Sequence, residues 1–219
     1  MLKAYHSDPA IKQKYLNRVL AHKENDELIK GVYWGNGKGC AVGCTIHSSQ
    51  HNRYEIELGI PEWLAKCEDL IFENLPSGEA RQWPIQFLKT IVPGVELKQI
   101  KKPFLIFILE SSLKSLGKVQ FNKQQFPDIQ EIIEKSKMAV KEMIRCHENN
   151  LNLNKAAKSA RSVASAESAA RSAAWSAAWS AESAAWSAAV SAESAAWSVA
   201  RSAAWRKFAK KLLKLISEL

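Results

Sequence analysis

Glycine and proline are missing from the C-terminal part of this 219-residue chain. All nine glycines and all seven prolines lie before residue 128. Because these two residues interrupt helices most often, their absence excludes a loop-rich domain there and predicts a long, unbroken helix. We therefore predict two parts: a helical globular domain over residues 1–150, and one long repeat helix over residues 151–219.

The chain also lacks a long apolar run. No stretch approaches the roughly 20 apolar residues that a membrane-spanning helix needs. Residues 1–9, MLKAYHSDP, contain no apolar core of the signal-peptide kind. We therefore expect a cytoplasmic protein, and we expect its four cysteines to be free thiols rather than disulfides.

Helix signals dominate the first part of the chain, so the predicted fold class is all-α. Asp8-Pro9 is typical of a helix N-cap followed by proline at the first helical position. The apolar run 104–109 fits a buried strand as well as a helix. Asn36-Gly37 is a turn signal and predicts a short hairpin within residues 31–45. Further helices are predicted after Pro61, over Gln82–Ile91, over Pro103–Leu116 and from Asp128 onward.

An eleven-residue repeat fills residues 175–205, in which WSAAWSAESAA is followed by WSAAVSAESAA and a degenerate third copy. Eleven residues correspond to three helical turns at about 3.67 residues per turn. The large side chains therefore form one stripe along the helix. This stripe continues into a basic amphipathic end at residues 205–219.

A helix of this length is longer than the predicted globular domain is wide. About 65 helical residues span roughly 100 Å, whereas a domain of about 150 residues is roughly 40 Å across. A second copy of the helix is the simplest cover for the stripe, so we predict a homo-oligomer joined by a coiled-coil-like bundle. The predicted interface comprises Trp175, Trp179, Trp186, Val190, Trp197, Trp205, Phe208 and Leu212.

Positive charge is concentrated in the same segment. Residues 151–219 carry ten Lys or Arg against four Asp or Glu, and a basic cluster lies in residues 206–214. Such a cluster can meet nucleic acid or an anionic membrane surface, or it can be a solvated helix face. The alternatives stay open from sequence alone.

Cysteine and histidine cluster in residues 40–51. Cys40, Cys44, His47 and His51 are residue types that bind zinc, although one straight helix would spread them over about 16 Å. Cys40 or Cys44 is also a candidate nucleophile with His47 or His51 as base. Because His22 lies far from this cluster in sequence, we expect it to have a surface or capping role, and we predict no bound cofactor.

The preceding loop is dense in glycine. Gly35, Gly37, Lys38 and Gly39 resemble a phosphate cradle, in which backbone N–H groups and a lysine meet an anion. The glycine and Ser/Thr positions of a Walker A loop are absent. We therefore keep these four residues as candidates for binding a small ligand.

The run GKGCAVGCTIH at residues 37–47, together with the C-terminal Ala-Ala-Trp repeats, resembles a group of bacterial and phage proteins that share both features. The resemblance covers most of the chain, but it implies no activity and no catalytic residues. It implies a bacterial or phage setting, in which small accessory proteins often act by binding.

The combined interpretation is a non-enzymatic accessory protein. The N-terminal head is expected to bind a partner protein or small ligand near residues 35–51, while the C-terminal helix oligomerises. A cysteine-dependent enzyme centred on Cys40 or Cys44 is one alternative. Nucleic-acid binding through the basic C-terminus is another.

Overall fold

A computed structural model describes residues 1–116, 129–151 and 202–219. The described residues fall into two compact units, one formed by 1–101 with 202–219 and the other by 102–116 with 129–151. Residues 175–201 of the predicted repeat, which include the predicted interface residues Trp175 to Trp197, lie outside the described residues. The long coiled-coil helix and the domain boundary at residue 150 therefore stay predictions.

Helices make up most of the described chain, and the all-α prediction is confirmed. Residues 104–109 lie inside a helix, so the strand alternative for this run is wrong. A helix also covers 202–217, named here the C-terminal helix. The other helices are α1 (Pro9–Glu24), α2 (Ala41–Ile46), α3 (Arg53–Leu58), α4 (Glu62–Asn74), α5 (Ser77–Ala80), α6 (Trp83–Thr90), α7 (Lys101–Leu116) and α8 (Ile129–Glu148), with 3₁₀ turns at Ala4–Ser7 and Leu97–Ile100.

Local signals set the ends of these helices. The Asp8 side chain accepts a hydrogen bond from the backbone N–H of Ala10 (2.7 Å), and Pro9 occupies the first helical position of α1. Helix α4 ends where Leu75 becomes extended before Pro76, because a residue that precedes proline is disfavoured in helical conformation. Asp8-Pro9 is the helix start that the sequence predicted.

Helix α2 lies at the centre of the first unit. It contacts α1, α3, α4 and α6, and all six of its residues are buried. Its sequence, AVGCTI, consists of small or apolar residues that tolerate close packing on every side. The largest fully buried side chains of this unit, Trp83, Tyr5, Tyr54, Phe72, Phe87, Ile46, Leu58, Ile60, Leu64, Ile71 and Leu88, complete its core.

A two-residue hairpin precedes α2. Strand β1 (Trp34–Gly35) pairs antiparallel with β2 (Lys38–Gly39), which confirms the predicted hairpin. Asn36 and Gly37 both have positive φ values, 52° and 77°, as the favoured type I′ hairpin turn requires.

Two glycines allow this hairpin to lie directly on α2. A Cβ atom at Gly39 would stand 2.3 Å from the backbone oxygen of Tyr33, and one at Gly43 would stand 1.7 Å from the same atom. Both distances are far below van der Waals contact, so any side chain would force the two segments apart. The glycines of this motif therefore serve backbone packing.

The C-terminal helix belongs to the first unit. Arg206 donates to the Glu79 carboxylate at 2.6 and 2.8 Å, and Ala209, Leu212 and Ile216 are buried along one face. Leu212, expected in an oligomer interface, is thus covered within the chain itself. Trp205 and Phe208 remain half-buried, with ring centroids 5.5 Å apart. Across the described ranges, no helix is both long enough and apolar enough to cross a membrane.

Candidate functional site

Two histidines distant in sequence meet beside the hairpin. Nε2 of His22 lies 2.7 Å from Nε2 of His47, and Nδ1 of His22 lies 2.6 Å from Oε2 of Glu27. The indole of Trp34 stacks on the His47 ring at 4.5 Å with an interplanar angle of 11°, and it meets His22 edge-on at 5.5 Å. We name His22, Glu27, Trp34 and His47 the histidine cluster.

Backbone geometry directs His47 toward this cluster. His47 caps the C-terminus of α2 in the left-handed conformation (φ 51°, ψ 44°), and its N–H donates to the carbonyl of Gly43. Partial burial lowers the pKa of His47, and the positive charge of Arg18 lowers it further. Both effects favour the neutral imidazole, which keeps a nitrogen lone pair available near neutral pH.

A second group of polar side chains lies deeper, between α2, α3 and α4. Glu68 is 0% exposed, and neither carboxyl oxygen has a hydrogen-bond partner in the described chain. Burial raises the pKa of Glu68 well above its ordinary value; the nearby Tyr54 hydroxyl opposes this rise, and the neighbouring Asp69 adds to it. Oδ2 of Asp69 lies 3.4 Å from Nε2 of His51, whose ring meets Tyr33 edge-on. We name Glu68, Asp69 and His51 the acidic group.

Both candidate nucleophiles lie inside the core. The Cys40 thiol is 1% exposed, and its Sγ accepts a hydrogen bond from the N–H of Gly43 as the N-cap of α2. Burial raises the pKa of Cys40, with a further rise from Asp69. Burial likewise raises the pKa of Cys44 to about 12. Because the thiolate is the reactive form, this environment disfavours nucleophilic chemistry at either cysteine.

The four residues of the predicted phosphate cradle form the hairpin instead. The N–H of Gly39 donates to Glu27 O, and the next N–H, that of Cys40, donates to Val32 O, at 3.0 and 2.7 Å. These two donors therefore point at the protein's own carbonyls rather than at a ligand. Gly35, Gly37 and Lys38 are exposed on the turn, so their ligand-binding role stays a prediction.

The predicted zinc ligands are not gathered around one point. His47 pairs with His22, His51 lies beside Asp69, and the two thiols are buried. Within residues 1–116, 129–151 and 202–219, no group of three or more His, Cys, Asp or Glu side chains is arranged to hold a metal ion.

Comparisons with known proteins leave the function to be argued from these contacts. No protein-family model, curated protein or solved structure matches the chain.

The structure brings into these two groups five residues that the sequence analysis did not select: His22, Glu27, Trp34, Glu68 and Asp69. His22 and Glu27 join His47 across 25 and 20 positions of chain, and Glu68 and Asp69 lie on α4 as part of an otherwise ordinary amphipathic pattern. A local signal was available for one pair, because Glu27 follows His22 closely at the end of α1. No spacing rule connects either residue to His47.

Proposed function

We propose that this protein is a non-enzymatic interaction protein of the bacterial or phage cytoplasm. Its head binds a partner protein or small ligand through the hairpin surface, defined here as Val32, Tyr33, Trp34, His47 and His51. Its C-terminal repeat joins copies of the chain into an oligomer.

The observation that carries this proposal is a large exposed aromatic ring on a rigid base. Tyr33 is 57% exposed and Val32 is 42% exposed. The backbone carbonyl of Tyr33 nevertheless touches Gly39 and Gly43 closely and accepts a hydrogen bond from Cys40 N–H at 3.2 Å. Rigid aromatic anchors lose little entropy on binding and dominate the energetics of many interfaces. A fixed, protruding tyrosine is therefore suited to recognition.

Site-specific photo-crosslinking tests the head. A photoreactive phenylalanine analogue replaces Tyr33 in the full chain, and the same analogue at Ile56, which is 72% exposed on α3, is the matched control. We expect discrete adducts from position 33 that are absent from position 56. Equal adducts at both positions, or none at position 33, would refute the assignment of the hairpin surface.

Oligomerisation is a separate measurement. Light scattering on the full chain is expected to give a mass of two or more chains of 24.5 kDa each. If light scattering gives the mass of a single chain at every concentration, association through the repeat is refuted. The proposal that the hairpin surface binds a partner is unaffected by that result. The two parts of the proposal therefore fail independently.

Nucleic-acid binding remains the second candidate, because one observation favours it. The C-terminal helix buries Ala209, Leu212 and Ile216, and it leaves Lys207 and Lys210 exposed. If this face binds DNA or RNA, affinity falls steeply with salt. Charge reversal of Lys207, Lys210 and Lys211 then abolishes binding, whereas a protein-binding head is unaffected.

A further inference from the structure

We propose that His22 and His47 form a two-histidine site for a late first-row divalent metal ion such as Zn²⁺, Ni²⁺ or Cu²⁺. The site uses side chains different from the cysteine–histidine set considered in the sequence analysis. The site shares Trp34 and His47 with the hairpin surface, but it does not require the proposed binding function, because it rests on the contact between the two histidines and not on the exposed tyrosine.

The nitrogen atoms that face each other are the metal-binding ones. Nε2 of His22 and Nε2 of His47 stand 2.7 Å apart. Two imidazole nitrogens on one tetrahedral ion, each at about 2.0–2.1 Å, stand roughly 3.3 Å apart. The two Nε2 atoms must therefore move apart by roughly 0.6 Å to bind an ion. His47 can supply this movement, because it is exposed at the last position of α2.

Glu27 sets the tautomer that binding requires. With Nδ1–H of His22 donating to Oε2 of Glu27 at 2.6 Å, the proton of the neutral ring is held on Nδ1. The Nε2 lone pair of His22 then points at His47 and accepts the Nε2–H of that ring. An ion takes the place of this proton, and neutral His47 then carries its proton on Nδ1. A carboxylate behind a metal-binding histidine recurs in metalloproteins, where it orients the ring and raises its basicity.

Trp34 sets the plane of the second ligand's ring. Its indole stacks on the His47 ring and also touches the edge of His22. Both imidazoles are thereby oriented by a neighbour before any ion arrives, which reduces the entropy lost on binding.

The charge around His47 is mixed, since Arg18 favours the uncharged ring and Glu57 favours the charged one. Arg18 and Arg53 lie near His47, but Arg53 pairs with Glu57 at 2.5 Å and Arg18 donates to the Thr45 carbonyl. Glu27 and Glu57 supply two carboxylates to balance the two guanidinium groups. With two protein nitrogens, water fills the remaining coordination positions at the exposed His47 side. Imidazole ligands favour Zn²⁺, Ni²⁺ and Cu²⁺ over Mg²⁺ and Ca²⁺.

Metal titration of the untagged full chain tests the site. Calorimetry with Zn²⁺, Ni²⁺ and Cu²⁺ is expected to show one ion per chain, with Cu²⁺ the tightest of the three, in the general order for nitrogen sites. Mg²⁺ is expected to give no heat. Cu²⁺ is expected to quench the part of the tryptophan emission that Trp34→Phe removes, because the indole lies against a ligand ring.

The variants separate this site from other histidines. His47→Ala, at an exposed position, is expected to abolish one-to-one binding while the circular dichroism spectrum stays unchanged. Glu27→Gln is expected to weaken binding 10- to 100-fold. His51→Ala, in the acidic group, is the matched control and is expected to bind as the unsubstituted chain does.

Two outcomes would overturn the proposal. One is the absence of stoichiometric binding, which would leave the histidine pair as a hydrogen bond alone. The other is one-to-one binding that survives His47→Ala, which would place the ion elsewhere. Neither outcome bears on the crosslinking from Tyr33, so failure here is distinguishable from failure of the proposed binding function.

Discussion

Replacing Glu68 with glutamine should stabilise the first unit, increasingly so as the pH rises. Glu68 is fully buried without a hydrogen-bond partner for its carboxyl oxygens in the described chain, and burial raises its pKa well above the ordinary value. In the unfolded chain, an ordinary glutamate titrates near 4.3. The folded chain thus keeps a proton that the unfolded chain releases.

The sign and size of the effect follow from proton linkage. A raised folded-state pKa contributes stability that is fully present below the unfolded pKa and is lost as the pH rises through the folded pKa. While the folded carboxyl stays protonated, the free energy of unfolding falls by about 1.4 kcal/mol per pH unit. Each pH unit over which only the unfolded chain releases this proton therefore lowers the equilibrium constant for folding about tenfold. Glutamine has a similar shape and no such proton.

The assay is urea unfolding followed by circular dichroism at pH 5, 6 and 7. The quantity compared is the difference in free energy of unfolding between Glu68→Gln and the unsubstituted chain, so that titration of all other groups cancels. Glu24→Gln, at an exposed position on α1, is the matched control for removing one carboxylate from the surface. If the Glu68→Gln difference does not grow with pH beyond that of Glu24→Gln, the carboxyl is not held protonated in the core, and the reasoning fails.

Three further predictions concern packing and reactivity. Gly43→Ala places a Cβ atom 1.7 Å from a backbone oxygen, so we expect a loss of at least the 1–3 kcal/mol typical of overpacking, measured by thermal melting; Gly78→Ala, which meets nothing within 4 Å, is the control and should not destabilise. Leu212→Ala should lower stability by about 2–5 kcal/mol, because this side chain is 0% exposed within the chain; an unchanged urea midpoint would contradict that burial. Cys40 and Cys44 should react with iodoacetamide slowly in the native protein and rapidly in urea, since burial raises the pKa of both thiols; rapid native labelling of either one, read by mass spectrometry, would revive the cysteine-enzyme alternative.

Sequence alone predicted the features that depend on near neighbours. The start of α1 follows from Asp8-Pro9, and the hairpin follows from Asn36-Gly37, because capping and turn dihedrals are set within about four residues. A helix was likewise predicted after Pro61, where α4 lies, although Leu70, an apolar residue of this helix, is 54% exposed. A face assigned from spacing is accurate only to about one residue in each turn.

Tertiary structure decided which of the polar residues meet. The segment at residues 40–51 drew attention by composition, yet folding divides it: the thiols enter the core, His47 turns toward α1, and His51 turns toward α4. Gly43 of this segment, together with Gly39, which the sequence analysis kept as a ligand candidate, lets the hairpin and α2 lie in backbone contact. Such outcomes depend on how α1, α2 and α4 pack on one another. Packing of this kind is a sum of many weak contacts between residues far apart in the chain, and no local pattern records it.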